Sequence, residues 1–98
     1  MLLAERFAAR AAQAPDRPAV LDGGAPVSYG ALRDRAELAA RAVAGHERVA
    51  LLPRSEADAL AVALGAMAAG TSLVLLDRHL SGAQVERALG VAAPALVV

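Results

Sequence analysis

The sequence predicts an α/β fold: a helix and a small β-hairpin, followed by a doubly wound parallel β-α-β-α-β unit. Three short apolar runs carry this prediction, at Arg48–Leu52, Leu73–Leu76 and Pro94–Val98. Runs of that length without polar alternation are typical of parallel strands that are buried on both faces. Segments with helix start and stop signals separate the runs, and this alternation is the pattern of a doubly wound sheet.

The central unit of the prediction is a strand–helix–strand crossover at residues 48–77. Ser55 stands where a helix N-cap belongs, with Asp58 three residues later as a weak capping-box partner. The helix is predicted over Glu56–Ala69, and Gly70 follows as the residue that best adopts the left-handed conformation at a helix end. Parallel strands joined by a helix pack with a right-handed crossover, so we expect this unit to be the framework for the rest of the chain.

Two further helices are predicted from the spacing of apolar residues. The first carries Leu3, Phe7 and Ala11 on one face. The second begins at Tyr29, after Ser28 as its N-cap, and runs to about residue 44. Its predicted buried stripe consists of Leu32, Ala36, Ala39, Ala40 and Val43.

A β-hairpin is predicted between these two helices. The segment Ala14–Pro18 ends the first helix, because each of its prolines disfavours helical geometry in the preceding residue. Two short strands follow, Ala19–Asp22 and Ala25–Val27, and Gly23–Gly24 between them suits the positive φ angles of a tight turn. Pro26 places the second strand at an edge, because proline cannot donate to a strand ladder.

A last helix is predicted after residue 80, and a last strand closes the chain. Ser81 is the expected N-cap and Gln84 its capping-box partner. The strand at 94–98 runs to the final residue, although a parallel strand needs neighbours and cover on both sides. We therefore expect residues 1–98 to be the partial N-terminal subdomain of a larger domain. Expressed alone, the chain should be poorly folded or self-associating, because the edge of its terminal strand is unprotected.

Composition argues against several classes of function. Ten arginines balance ten acidic residues, so we expect neither nucleic acid nor a membrane as a partner. The chain has no cysteine for a disulfide, a thiolate zinc site or a thiol nucleophile, and it has no lysine. Glu5, Arg6 and Arg10 interrupt the apolar N-terminus, which predicts no signal peptide and a cytoplasmic location. The uncharged stretch Ala59–Leu76 is broken at Gly70–Ser72, which favours a helix and a strand over a membrane span.

Two loops at predicted strand ends are candidates for ligand chemistry. Arg54 and Ser55 lie between a strand end and a helix start, where open α/β sheets bind anions. The favoured interpretation is nevertheless structural, with Ser55 as the cap and Arg54 solvated. Asp77–His79 occupies the matching loop after the next strand and could supply half of a catalytic pair, but no nucleophile is placed beside it.

Three weaker candidates are predicted to be structural as well. Gly65–Thr71 has the glycine spacing of a phosphate-binding loop, but it lacks the lysine and follows a helix instead of preceding one. His46 is expected to be exposed in a turn, and Tyr29 to pack at a helix start. The sequence thus predicts no catalytic, cofactor-binding or metal-ligating residue in this chain.

Four motifs then follow one another along the chain. They are Ala14–Val20 (APDRPAV), Val27–Leu32 (VSYGAL), Arg48–Ser55 (RVALLPRS) and Ala69–Asp77 (AGTSLVLLD). In this order they resemble the N-terminal segment of the acyl-adenylate-forming (AMP-dependent synthetase/ligase) superfamily. That superfamily includes acyl-CoA synthetases and the adenylation domains of nonribosomal peptide synthetases.

The chain departs from the pattern of this superfamily in three places. Ala31 stands where the family usually has an acidic residue, and Val74–Arg78 replaces the common Val-Pro-Leu-Asp-Pro. The loop at Ala44–Glu47 is shorter than usual and lacks the customary Gly-Asp. These differences leave the subfamily open, and they leave open a diverged or non-functional member.

The resemblance implies a two-step ligase that uses ATP and Mg²⁺. A carboxylic or amino acid is joined to AMP with release of pyrophosphate, and the acyl group then passes to a thiol of coenzyme A or of a carrier protein. In such enzymes the phosphate loop, the adenine and ribose contacts and the catalytic lysine all follow this region. The implied role of residues 1–98 is therefore scaffold, and we expect neither ATP nor Mg²⁺ to bind this segment alone.

Two other functions compete with this interpretation. One is a truncated, non-catalytic homologue that acts as an interaction module. The other is an unrelated small α/β binding domain of flavodoxin-like type.

Overall fold

The structure is a computed structural model that describes residues 3–76, 82–84, 87 and 96–97. The elements in chain order are α1 (Leu3–Gln13), β1 (Pro18–Asp22), β2 (Ala25–Ser28), α2 (Tyr29–Val43), β3 (Arg48–Leu51), α3 (Glu56–Ala69), β4 (Ser72–Leu75) and β5 (Leu96–Val97). β1 and β2 form a two-stranded antiparallel sheet, and the other three strands form a parallel sheet. This is the predicted fold class: a helix and a small hairpin followed by a parallel α/β unit.

The parallel sheet has the strand order β4-β3-β5, with β3 in the middle. Val49 of β3 lies opposite Leu73 of β4 on one side and opposite Leu96 of β5 on the other. The chain therefore moves outward from β3 to β4 and then returns across β3 to its other edge. Residues 82–84 and 87, which lie between β4 and β5 in the sequence, are helical. This reversal of direction at β3 is the doubly wound arrangement.

Several sequence predictions fall on the part of the chain outside the described residues. The Ser81 cap, the loop Asp77–His79 and most of the predicted strand at 94–98 belong to this group. Of that strand, only Leu96 and Val97 are described; they form a parallel strand as predicted, and its neighbour is β3.

The ends of α3 are set by the residues that the sequence indicated. Ser55 Oγ accepts a hydrogen bond from the Asp58 N–H at 3.2 Å, which satisfies one of the free donors of the first turn. Gly70 adopts the left-handed conformation with φ of 71° and closes the last turn. The strand limits shift slightly: β3 ends at Leu51 instead of residue 52, and β4 begins at Ser72 instead of residue 73. Ser72 joins the ladder because its N–H donates to the Glu47 carbonyl at 3.0 Å.

The hairpin and α2 also follow from local signals. Gly23 and Gly24 form the turn with φ angles of 59° and 87°, and positive φ at both positions matches the right-handed twist of the two strands. Ser28 Oγ accepts a hydrogen bond from the Ala31 N–H at 3.1 Å and so caps α2. The helix ends at Val43, and Ala44 is its C-cap.

The core lies where α2, α3 and the hairpin meet. The cluster there consists of the buried residues Val27, Leu32, Ala36, Ala57, Ala61 and Leu64, with Phe7, Ala19 and Val20 packed against them. Three predicted stripe positions differ from the structure. Leu3 is 60% exposed although it shares a face with the fully buried Ala11, and Ala39 and Ala40 are only half-buried. Periodicity shows which residues share a face, but burial also requires another element opposite that position.

No helix in the described part of the chain is long and apolar enough to cross a membrane. The uncharged stretch that begins at Ala59 is divided as the sequence indicated, because α3 stops at Ala69 and β4 starts at Ser72.

Candidate functional site

A surface groove lies at the carboxyl end of β3, between α2 and α3, and has a volume of about 320 Å³. It is lined by Arg35 and Leu38 of α2, by Leu51, Leu52 and Arg54 of β3 and the loop after it, and by Asp58, Ala61 and Val62 of α3. Open α/β sheets bind ligands at the carboxyl ends of their strands, next to the point where the strand order reverses. Because β3 is the reversal strand, this groove is the candidate functional site.

The loop that forms one rim of the groove is held by the start of α3. β3 is buried from Val49 to Leu51, and the chain then turns outward, so that Arg54 is exposed. Ser55 is the N-cap of α3, and its hydroxyl is engaged with the Asp58 N–H. The structural interpretation of Ser55 is therefore confirmed. An anion at this rim would meet the Arg54 guanidinium first.

The charges of the groove come from both helices. Arg35 Nη1 of α2 lies 3.9 Å from Asp58 Oδ1 of α3, and the two side chains are 46% and 42% exposed. A pair this long and this exposed contributes little to stability. The sequence singled out Arg54 but not Arg35, because no spacing rule relates a position on α2 to the loop after β3.

The walls of the groove are apolar and partly open to solvent. Leu38 is 62% exposed and Leu52 is 42% exposed. The groove can thus hold an apolar group beside an anion. Its described lining includes a single carboxylate and neither a histidine nor a lysine, so these residues do not assemble a nucleophile with a base.

The segment 65–71, which has the glycine spacing of a phosphate-binding loop, begins where α3 packs against α2. A Cβ built on Gly65 would lie 2.7 Å from the Ala36 carbonyl oxygen and 2.7 Å from the Ala40 nitrogen. Only glycine permits this approach of two helix backbones. The sequence analysis treated this stretch as structural but missed its packing role, which an isolated glycine inside an apolar helix can signal.

Thr71, treated in the sequence only as part of a turn, joins two loops. Its side chain is buried, and its hydroxyl can donate to the His46 carbonyl at 3.0 Å or to the Val43 carbonyl at 3.3 Å. These bonds connect the turn before β4 to the turn before β3. His46, which the sequence predicted to be exposed, is half-buried, and its backbone carbonyl takes part in this contact.

Tyr29 has the packing role that the sequence predicted. Its ring lies against Phe7 with 5.8 Å between the ring centroids. Its N–H donates to the Arg17 carbonyl at 2.9 Å, and the N–H of Gly30 donates to the Pro15 carbonyl at 2.8 Å. These two hydrogen bonds hold the loop between α1 and β1 against the first turn of α2.

The described residues do not fit a magnesium–nucleotide site. Among them, no group of three or more histidine, cysteine, aspartate or glutamate side chains could hold a metal ion. The glycines at 65 and 70 stand inside and at the end of α3, so the loop does not present backbone N–H groups to a phosphate. That the chain carries no catalytic, cofactor-binding or metal-ligating residue remains a prediction.

Comparison with known proteins shows which family has a region of this sequence and fold. The profile of the AMP-binding enzyme family matches residues 7–98. No curated protein sequence matches the chain significantly.

Solved structures with the same fold include three informative relatives. IdnL7 is 32% identical over 95% of this chain, with a TM-score of 0.81, and the match covers 20% of its length. The nonribosomal peptide synthetase FmoA3, bound to α-methyl-L-serine-AMP, is 28% identical over 99% of this chain, with a TM-score of 0.82, and the match covers 11% of its length. A benzoate CoA ligase from Burkholderia xenovorans LB400 shares the fold at 23% identity over 96% of this chain, with a TM-score of 0.82 and 20% of its length covered. The chain thus spans a fifth or less of each of these proteins.

Proposed function

The chain belongs to the AMP-binding enzyme family, and from this membership we propose that it is the N-terminal segment of an ATP-dependent carboxylate-activating ligase. In the reaction of the full-length ligase, a carboxylate oxygen of a carboxylic or amino acid attacks the α-phosphorus of ATP, and pyrophosphate leaves as the acyl-adenylate forms. A thiol of coenzyme A or of a carrier protein then takes the acyl group and releases AMP. Mg²⁺ accompanies ATP in this proposal.

The family match over residues 7–98, on a chain that spans a fifth or less of its relatives, carries the proposal. A segment of this size accounts for framework rather than for a whole active site. The described residues support that role. They supply a buried central strand, a crossover helix and a close contact between α2 and α3, but no nucleophile paired with a base and no metal cluster.

A chimera tests the scaffold role. We would replace the matching segment of FmoA3 with residues 1–98 and measure ATP–pyrophosphate exchange with α-methyl-L-serine, the aminoacyl group bound in its structure. If this segment is framework, a folded chimera should activate the same acid, with a rate within about tenfold of FmoA3, because the reacting groups lie elsewhere. A folded chimera that activates a different acid, or that loses exchange altogether, would assign chemistry to these residues.

A second candidate is a non-catalytic homologue that acts as an interaction module. The departures at Ala31 and at Val74–Arg78 favour it, since they fall within two of the motifs that carry the family resemblance. The coding sequence after Val98 separates the two functions. A downstream loop rich in Ser, Thr and Gly followed by Pro-Lys supports the ligase, whereas a stop codon at that point supports the module.

A further inference from the structure

The outer edge of β4 carries backbone groups that pair with no other strand in the described part of the chain. The Ser72 N–H donates to the Glu47 carbonyl at 3.0 Å, and the Leu76 N–H donates to the Leu51 carbonyl at 2.8 Å. In a parallel ladder, alternate residues of a strand bond to the same neighbour. The peptide groups of residues 72, 74 and 76 therefore face β3, and those of Leu73 and Leu75 face away from it. Among the described residues, no strand pairs with this outer side.

The β4 edge also lacks the features that usually protect an exposed strand. Residues 72–76 contain no charge and no proline. In the hairpin, by contrast, β1 begins with Pro18 and β2 contains Pro26. Proline and charged side chains are the common devices that keep strand edges from pairing with other chains. The hairpin therefore has such a device in each strand, whereas the β4 edge is suited to accept another strand.

We propose that the outer edge of β4 is a self-association surface, on which β4 of a second copy pairs in antiparallel orientation. In a two-fold pairing centred on Val74, Leu73 exchanges both of its backbone hydrogen bonds with the partner's Leu75, and Leu75 does so with the partner's Leu73. The parallel sheet of each copy then continues across the interface as one sheet.

A second copy fits this edge for reasons of symmetry and charge. A two-fold contact brings the same surface together twice, so an edge must be complementary to itself. Like charges opposite one another disfavour strand pairing, and an uncharged segment does not incur that penalty. The two paired segments are the same β4 strand, so their lengths and twists match. This inference does not depend on the proposed ligase function.

The test compares the 98-residue chain with two variants at the same position. Molar mass is measured by sedimentation velocity and light scattering from micromolar to hundreds of micromolar. Leu73→Pro removes the outward N–H without removing a bond to β3, since residue 73 does not donate to that strand. Leu73→Ala is the matched control, because it shortens the same half-buried side chain and keeps the N–H. We expect a concentration-dependent dimer that Leu73→Ala weakens less than about threefold and Leu73→Pro weakens by about tenfold or more.

Amide hydrogen exchange provides a readout that needs no substitution, in case Leu73→Pro unfolds the chain. The amides of Leu73 and Leu75 should gain protection as protein concentration rises, whereas the amide of Val74, which faces β3, should not change. A chain that stays monomeric throughout overturns the proposal. A dimer that both variants weaken equally also overturns it. So does a dimer in which exchange of the Leu73 and Leu75 amides does not slow as protein concentration rises.

Discussion

Gly65 shows how one residue determines the packing of two helices. Its α-carbon faces the backbone of α2, and an added Cβ would meet the Ala36 oxygen and the Ala40 nitrogen at 2.7 Å each. Both contacted atoms belong to the backbone, so no side-chain rotation can make room. Among the described elements, α2 and α3 make the most extensive contact, and the missing side chain of Gly65 is a condition for that contact.

We therefore expect Gly65→Ala to destabilise the chain. Alanine favours a helix over glycine by about 1 kcal/mol, but forcing a methyl group between two backbones costs about 1–3 kcal/mol. The expected result is a lower free energy of unfolding in a urea titration. Gly82→Ala is the control, since Gly82 is helical and a Cβ there meets nothing within 4 Å. Equal stability changes in the two variants would contradict this account of Gly65.

Thr71 is the second position at which one side chain connects distant parts of the chain. Thr71→Val keeps the shape of the side chain and removes the hydroxyl that donates to the carbonyls of His46 and Val43. We expect the free energy of unfolding to fall by about 1 kcal/mol, because a partly buried acceptor loses its donor. Thr71→Ser, which keeps the hydroxyl, should retain more of the stability. If serine and valine at this position give the same unfolding midpoint, the hydroxyl has no such role.

At the scale of the element, the limits of α3 are set by its two capping residues. The helix is apolar along most of its length, with Glu56 and Asp58 as its charged residues, both in the first turn. An amphipathic pattern therefore does little to mark its limits. Ser55 marks the start of the helix and Gly70 marks its end, whereas the spacing of apolar residues marks neither. Each cap satisfies backbone groups that would otherwise lack a hydrogen-bond partner at a helix end.

The cap at Ser55 can be tested directly. Ser55→Ala removes the acceptor of the Asp58 N–H, and we expect a loss of about 1 kcal/mol in the free energy of unfolding. Ser72→Ala makes the same chemical change at an exposed strand residue and should leave stability within about 0.5 kcal/mol. Circular dichroism of both variants shows whether the helix is retained. A Ser55→Ala protein as stable as the Ser72→Ala protein would contradict the capping role.

At the scale of the whole molecule, the described residues provide a sheet and its cover, and they do not bring a set of reacting groups together. The groove at the end of β3 has two arginines, one carboxylate and leucine walls. A nucleotide site built on phosphate contacts needs N–H groups aimed at the phosphates and a cation to hold them. The described residues assemble neither arrangement.

We accordingly expect the 98-residue chain to show no measurable binding of ATP with Mg²⁺ by isothermal titration. The absence of lysine removes the residue type that most often holds nucleotide phosphates as a point charge. The measurement should include sodium pyrophosphate, so that weak anion binding at Arg54 is distinguished from nucleotide binding. A dissociation constant for ATP in the micromolar range would locate part of the nucleotide site within these residues and contradict the scaffold role.

Local signals allowed much of the fold to be predicted. The caps at Ser28 and Ser55, the glycine turn of the hairpin and the helix end at Gly70 all depend on a few adjacent residues. The candidate site was predictable only in part. Arg54 was found because it follows a strand, whereas Arg35 and Leu38 come from α2 and reach the groove only after the chain has folded.

The sequence by itself determined the kinds of elements, their order and their ends, because hydrophobic runs, caps and turns act over a few neighbouring residues. Only the tertiary structure decided which strand lies in the middle of the sheet, which helix face requires a glycine, and which strand edge has no partner among the described residues. These features depend on contacts between residues far apart in the chain. The placement of β3 between β4 and β5 is of this kind, since two apolar runs that look alike in sequence can take either a central or an edge position.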